Sequence, residues 1–442
     1  MSKRLILILA LAFVVGITCA AYAEVQNVKV SGDITALGVD RQGFNLGNQS
    51  LSGYADNRVN ASVLASIVRL RVDADLTDNV ATTVRLLNER PWGTLDEPAA
   101  GHNPNTEIDL DLAYVALKEF LYSPLTLILG RQPLRLGNGL LLGDADTNRL
   151  VGPASALDAT GLEDLSARKA FDAIVGVLDY SPLKVTGAFA KGYEGDVNDH
   201  IQDDVDVWAL QAAYDTGVKN TVGELTYALK KGNTSSLKAE VHNISARIVS
   251  TPIENLTADA EFVYQAQKGI RDAAVNSKMA SDTAIVLSAT YAMPKVKMSP
   301  SIGLDYTRLS HNWNVMFEDV IPADIANAIL PNTNMQVIGA KLSVKPIDDL
   351  TVKLRYANLA LANAKNGLRS IPVWPTVAGT TYYSLVSGKK ALGNEVDLHL
   401  LYDYTEDVQL GLLLGVFEPS SAFDKDNRQN ATQVIGSMKV TF

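Results

Sequence analysis

The connections between the strand-like segments of this chain alternate between short and long, and that alternation restricts the fold more than any other feature. The segments themselves have a period of two. From Ile67 to Leu76, Val68, Leu70, Val72, Ala74 and Leu76 fall on one face, with Arg69, Arg71, Asp73 and Asp75 on the other. Strict alternation of this kind marks a strand with two unlike faces. The pattern recurs where Ile108, Leu110, Leu112 and Tyr114 oppose Asp109 and Asp111. It recurs where Ala258, Ala260, Phe262 and Tyr264 oppose Asp259, Glu261 and Gln265. Val352, Leu354 and Tyr356 oppose Lys353 and Arg355, and Val396, Leu398, Leu400 and Tyr402 oppose Glu395, Asp397 and His399. About eighteen segments follow this rule: 26–39, 64–76, 79–89, 107–119, 124–132, 168–179, 183–193, 204–215, 219–231, 236–250, 255–268, 282–292, 297–310, 334–345, 350–361, 394–404, 407–417 and 431–442. Strong helical periodicity is scarce, and Pro322 to Leu330 is its clearest short stretch.

Short turns, such as Thr77-Asp78, Ser181-Pro182 and Thr405-Glu406, follow the even-numbered segments. Long polar loops follow most of the odd-numbered ones: 40–63, 90–106, 133–167, 269–281, 311–333, 362–393 and 418–430. The two ends of such an antiparallel meander face different surroundings. This is the pattern of an all-β, transmembrane, antiparallel up-and-down β-barrel, with short periplasmic turns and long extracellular loops. An even strand number puts both termini on the short-turn side. Closure is required, because an unpaired sheet edge in lipid leaves backbone N–H and C=O groups unsatisfied at several kcal/mol each. A soluble periplasmic all-β binding protein would also have many short strands, but its loop lengths would have no reason to alternate.

Of the 442 residues 47% are hydrophobic, yet beyond residue 23 no run of 18 apolar residues occurs, so the apolar surplus belongs to strands rather than to membrane helices. Residues 1–23 read as a cleaved signal peptide: Lys3 and Arg4, an apolar run from Leu5 to Ile17, then Ala21-Tyr22-Ala23. The barrel then occupies 24–442, without an N-terminal plug. The single Cys, Cys19, lies in the leader, which suits an exported chain and excludes a disulfide scaffold or a thiolate metal site. A net charge of −10 argues against nucleic acid as a partner. The chain ends ATQVIGSMKVTF, with Val434, Gly436, Met438, Val440 and Phe442 on one face. A terminal Phe442 on an alternating strand resembles the signal read by the barrel assembly machinery.

Three regions carry a resemblance: Leu129-Gly130-Arg131-Gln132 with Arg135, Gly137 and Gly139; Arg168 to Ala173; and Gly393 to Leu398 with Gly415 to Pro419. In order and placement they resemble the alginate export porin family, whose members are eighteen-stranded outer-membrane barrels. That resemblance implies passive passage of hydrophilic, anionic solutes, with export of an acidic polysaccharide such as alginate as its most specific form. It implies a pore lined by Arg and Lys. Arg69, Arg71, Arg85, Lys341, Lys353 and Arg355 lie on the polar face, and Arg131, Arg135 and Arg168 match the motifs. The same face carries Asp109, Asp111, Asp259, Glu261 and Asp397, so each arginine belongs either to a solute track or to a salt-bridged wall. Asn312-Trp313-Asn314 and Ile371 to Pro375 lie in loops suited to gating. A plugged barrel, or a sleeve around a periplasmic partner, is the alternative.

No catalytic constellation is present: the five histidines show no metal-ligand spacing, and neither a nucleophile elbow nor a P-loop occurs. An enzyme is therefore not expected, nor a cofactor. Asp144 and Asp146 begin like a calcium loop but lack its glycine and distal glutamate, leaving surface Ca²⁺ a weak expectation. The expected partners are outer-membrane lipid, lipopolysaccharide and a small anionic solute or polyuronate, and the expected state is a monomer in the outer membrane of a Gram-negative bacterium.

Overall fold

A computed structural model of the chain describes residues 27–47, 60–93, 108–146, 162–193, 204–233, 238–268, 280–320, 322–365 and 385–442. The leader at 1–23 and the segment 371–375 lie outside these residues. The strands are β1 (Asn27–Gln42), β2 (Ala61–Thr77), β3 (Val80–Pro91), β4 (Asp109–Leu117), β5 (Leu125–Pro133) and β6 (Ala170–Tyr180). Then come β7 (Leu183–Tyr193), β8 (Val205–Asp215), β9 (Thr221–Asn233), β10 (Lys238–Ile253), β11 (Leu256–Lys268) and β12 (Ala280–Ala292). The last six are β13 (Ser301–Leu309), β14 (Met335–Ile347), β15 (Leu350–Leu361), β16 (Ala391–Asp403), β17 (Val408–Pro419) and β18 (Ala431–Thr441), with one helix, α1 (Asp324–Ile329), between β13 and β14. Each strand pairs antiparallel with its sequence neighbours, and β18 returns to β1, closing an 18-stranded barrel. The backbone of Phe442 completes the seam, its N–H donating to Gly32 O and the Gly32 N–H donating to Phe442 O.

The apolar faces point outward. Leu210 is 54% and Leu304 62% exposed, and Leu70, Leu110, Leu354 and Val396 share this exposure on their own strands. In a water-soluble protein such residues would be buried. Here they form the lipid-facing band of a transmembrane barrel. Trp208 and Tyr264 lie outward toward the long-loop end, and Tyr180, Tyr214, Tyr291, Tyr402 and Tyr404 toward the short-turn end. These are the two aromatic girdles expected at the membrane boundaries.

Leu112 departs from the alternation. The β3–β4 register shifts between Arg85 and Leu86, so Asp111 is an extra residue and Arg85 pairs with Leu112. Such a bulge reverses the facing of every residue beyond it. Leu112, expected on the lipid face, is therefore turned inward and is 1% exposed.

The inward face is packed rather than bare. Leu134 to Leu142 and Trp313 to Phe317, from the segments after β5 and β13, cover small inward residues of β6–β12 such as Ala190, Ala209 and Ala228. Helix α1 with Ala422 and Phe423 covers Val337, Ala357, Leu359, Phe417 and Ala431 of β14–β18. Leu162 covers Ala65, Ile67 and Leu87.

Candidate functional site: the lumen wall

Between these packed patches the wall is charged, and most of its charges are paired, several of them across strands. On β2, Arg69 stands opposite Asp33 of β1, with Nη2 2.9 Å from the carboxylate. Arg71 bonds Asp73, two residues along the same face, at 2.7 Å, and Thr83 Oγ1 also donates to Asp73 at 2.7 Å. Arg85 lies directly opposite Arg71, and two guanidinium groups so placed repel unless each has its own anion. The anion for Arg85 is Asp111, presented by the bulge. Arg168 pairs with Asp109 and lies 3.6 Å from Glu89. Across the barrel, Asp305 holds both Lys341 at 2.9 Å and Arg355 at 3.2 Å. Arg247 bridges Asp259 at 2.6 Å and Glu224 at 2.8 Å, while Glu261 accepts a hydrogen bond from Ser245 at 2.5 Å.

Lys353 differs. It projects inward from β15, opposite Ser343 and His399, is exposed, and makes no ion pair with a described residue. Asp397, opposite Arg355, is completely buried under the packed segments.

Two motif arginines do not line the wall as expected. Arg131 is on the outer face: β5 runs on to Pro133 without a bulge, and Arg131 pairs outward with Ala113 and with Asp172, 3.0 Å away. Arg135 lies beyond the strand. Its guanidinium packs over Gly139, donates to Asn138 O and pairs with Asp319, tying the segment after β5 to the segment after β13. Lys169 reaches the same Asp319. Gly139 has φ +88°, a left-handed conformation that favours glycine, and a Cβ there would also crowd the Arg135 guanidinium at 2.7 Å. The motif residues Arg135 and Gly139 therefore fix the inward loops. Asp144 accepts the Asp146 N–H at 2.9 Å and lies 3.8 Å from Lys169.

The residues that hold the inward segments were not singled out by sequence reasoning. Gln265 and Asn314 exchange two hydrogen bonds, Nε2 to Asn314 O at 2.9 Å and Asn314 N–H to Oε1 at 2.7 Å. Gln267 donates to Asn312 O at 2.6 Å. Buried Lys230 donates to Val315 O and lies 6.0 Å from the Phe317 ring centroid. Trp313 and Asn314, expected at the rim or folded inward, are buried inside. Helix α1 is tethered by Glu395, whose carboxylate accepts the N–H groups of Ile325 and Ala326 at 2.7 Å each, and by Asp324, 3.0 Å from His399. The available signal was the run of inward amides, Asn243, Gln265 and Gln267. Such groups are suited to receiving a backbone.

No protein-family model matches the sequence, and no curated protein matches it. Solved structures of OprD/Occ-type outer-membrane porins do match in fold. Pseudomonas aeruginosa OccK9 (OpdG) superposes with a TM-score of 0.57 at 13% identity, covering 95% of this chain and 99% of that one. Acinetobacter baumannii OccAB2 gives 0.56 at 11%, with 95% and 99% covered, and Pseudomonas aeruginosa OccD3 (OpdP) 0.53 at 11%, with 95% and 94% covered. At such identities the likeness is one of fold: an 18-stranded outer-membrane barrel. The likeness is to that group, not to the alginate export family specifically.

Proposed function

We propose that the chain is an outer-membrane porin through which hydrophilic solutes pass by diffusion, with a weak preference for anions. The observation that carries this reading is the pairing of two faces in one closed barrel: an outward apolar band between aromatic girdles, and an inward wall of cross-strand ion pairs. Paired charges make a wall wettable without fixing a strong field, so solutes are sorted mainly by size and by the few charges left over. Lys353 is such a charge and supports the anion preference. Packed segments folded inward from three sides narrow the lumen.

Export of an acidic polysaccharide is the more specific form of this reading. Its support is the motif resemblance. Of the arginines that resemblance supplies, Arg131 faces outward and Arg135 and Arg168 are engaged by carboxylates. A second reading, a barrel plugged by its own loops, is supported by the apolar packing of Trp313 to Phe317 against the wall. Planar-bilayer recording of the purified protein separates them. Steady conductance with a small anion-favouring reversal potential supports the porin. Absence of conductance, restored when residues 311–320 are shortened, supports the plugged barrel.

A further inference from the structure

A row of charges on the outer face of β5–β11 has no part in the lumen. In register, Arg131 stands opposite Asp172, Asp172 opposite Lys191, and Lys191 opposite Asp206. Asp206 in turn stands opposite Lys231, and Glu240 opposite both Lys231 and Lys268. Seven neighbouring strands each supply one side chain, and the signs alternate without a break. The outward parity is fixed by exposed residues on the same faces: Trp208 and Leu210 follow Asp206 on β8, and Tyr264 and Phe262 precede Lys268 on β11.

The row has a definite height. Each member lies within a few residues of the end of its strand on the loop side of the barrel. From Lys268 to Leu256 at the other end of β11, twelve steps of about 3.3 Å at a tilt of about 40° give about 30 Å, the thickness of a hydrocarbon core. The charges therefore stand just above the upper aromatic girdle, at the level of lipid headgroups on the loop side. The row is also one-sided. On β15–β18 the outward row near the loops is Asn358, Asn394, Glu418 and Thr432.

We propose that this row docks the phosphate groups of lipopolysaccharide in the outer leaflet, with Lys231 and Lys268 as the principal contacts. Cations outnumber carboxylates in it. Lys231 has a carboxylate on each side in register, yet Asp206 engages Lys191 at 3.0 Å and Glu240 engages Lys268 and His242, so Lys231 makes no ion pair with a described residue. Lys268 is 67% exposed, and its 3.7 Å pair is of the weak, exposed kind that a doubly charged phosphate displaces. The intervening carboxylates space successive cations about 10 Å apart, which keeps adjacent anionic headgroups from crowding.

The test uses the full-length barrel and the variant Lys191→Gln/Lys231→Gln/Lys268→Gln, each refolded and incubated with lipopolysaccharide, then exchanged through detergent. Lipopolysaccharide retained per barrel is measured, with heat-modified gel mobility as the check on folding. The expected result is retention at least fivefold lower in the variant and restored by arginine at the same positions. Equal retention overturns the proposal. So does a variant that changes oligomeric state in sedimentation while retaining lipopolysaccharide, which would assign the row to a contact between copies. Should the triple variant fail to fold, Lys231→Gln alone is compared, with loss of retention expected and unchanged retention again decisive against.

Discussion

Arg69 and Asp33 stand directly opposite one another on neighbouring strands of the lumen wall, the guanidinium 2.9 Å from the carboxylate. Ion pairs without that direct register join Arg85 to Asp111, Arg168 to Asp109, and Lys341 and Arg355 to Asp305. What reads along one strand as a row of arginines is, across strands, a row of ion pairs. Opposite charges at that separation cancel within a few ångströms, so such a wall exerts little net field on a passing ion.

Removing a whole pair should therefore leave selectivity alone. For Arg69→Ala with Asp33→Ala, the reversal potential in a salt gradient is expected to stay within error of the parent. Arg69→Ala by itself leaves a bare carboxylate, and should shift the potential toward cations and destabilise the barrel by about 1–3 kcal/mol in denaturant. A large shift for the double variant would show that the pair is not neutral toward solutes.

Lys353 makes the complementary case. With no carboxylate partner among the described residues, its charge is not cancelled locally. Lys353→Ala is expected to reduce anion preference more than the Arg69/Asp33 double variant, and the effect should fade as salt rises and the screening length falls from about 10 Å at 0.1 M to about 3 Å at 1 M. If the potential of the parent already favours cations at low salt, the anion reading fails, and with it the residue-level support for a polyuronate.

The lipid face supplies a stability test. Leu354→Lys places a charge on the exposed apolar band and should cost about 2–4 kcal/mol near the bilayer midplane, measured by chemical unfolding in lipid. Leu112→Ala, on the inward side of the β4 bulge, should cost about 2–5 kcal/mol by loss of packing instead, and the cost should be the same in detergent and in lipid. If the Leu112 cost varied with the lipid, the facing assigned to β4 would be wrong.

The barrel was legible because its constraint is global. Each strand contributes a weak period-two signal, but eighteen of them with alternating connections admit few other folds, and the strand number and the facing of Leu70, Leu354 and Val396 follow. The β4 bulge was not legible, because one extra residue, Asp111, leaves the residue pattern intact while reversing what lies beyond it. Nor was the pairing of Arg69 with Asp33, since parity assigns a face but not a register. The outward placement of Arg131 was available from its parity with Leu125, Leu127 and Leu129, and the motif resemblance pulled against it. The inward segments were hidden most deeply. Their anchors, Gln265, Lys230 and Glu395, look in sequence like any polar residues of a water-filled pore.

Glu395 tests whether those segments set the size of the channel. It projects inward from β16, is fully buried, and accepts the N–H groups of Ile325 and Ala326 in the first turn of α1 at 2.7 Å each. A short helix has little stability of its own, so α1 depends on this tether and on the apolar packing of Ile325 and Ala326 against Phe417 and Ala431. Glu395→Ala removes both acceptors and leaves two buried donors unpaired, at about 1–3 kcal/mol each. That is enough to release six residues while the eighteen-stranded wall stays closed. Single-channel conductance of Glu395→Ala is therefore expected to rise, or to fluctuate between two levels, with heat-modified mobility unchanged. Glu395→Asp retains a carboxylate on a shorter arm and should fall between the parent and Glu395→Ala. A conductance identical in all three proteins would mean that α1 lies outside the solute path, and the constriction would then have to be sought in the segments joined through Asp319.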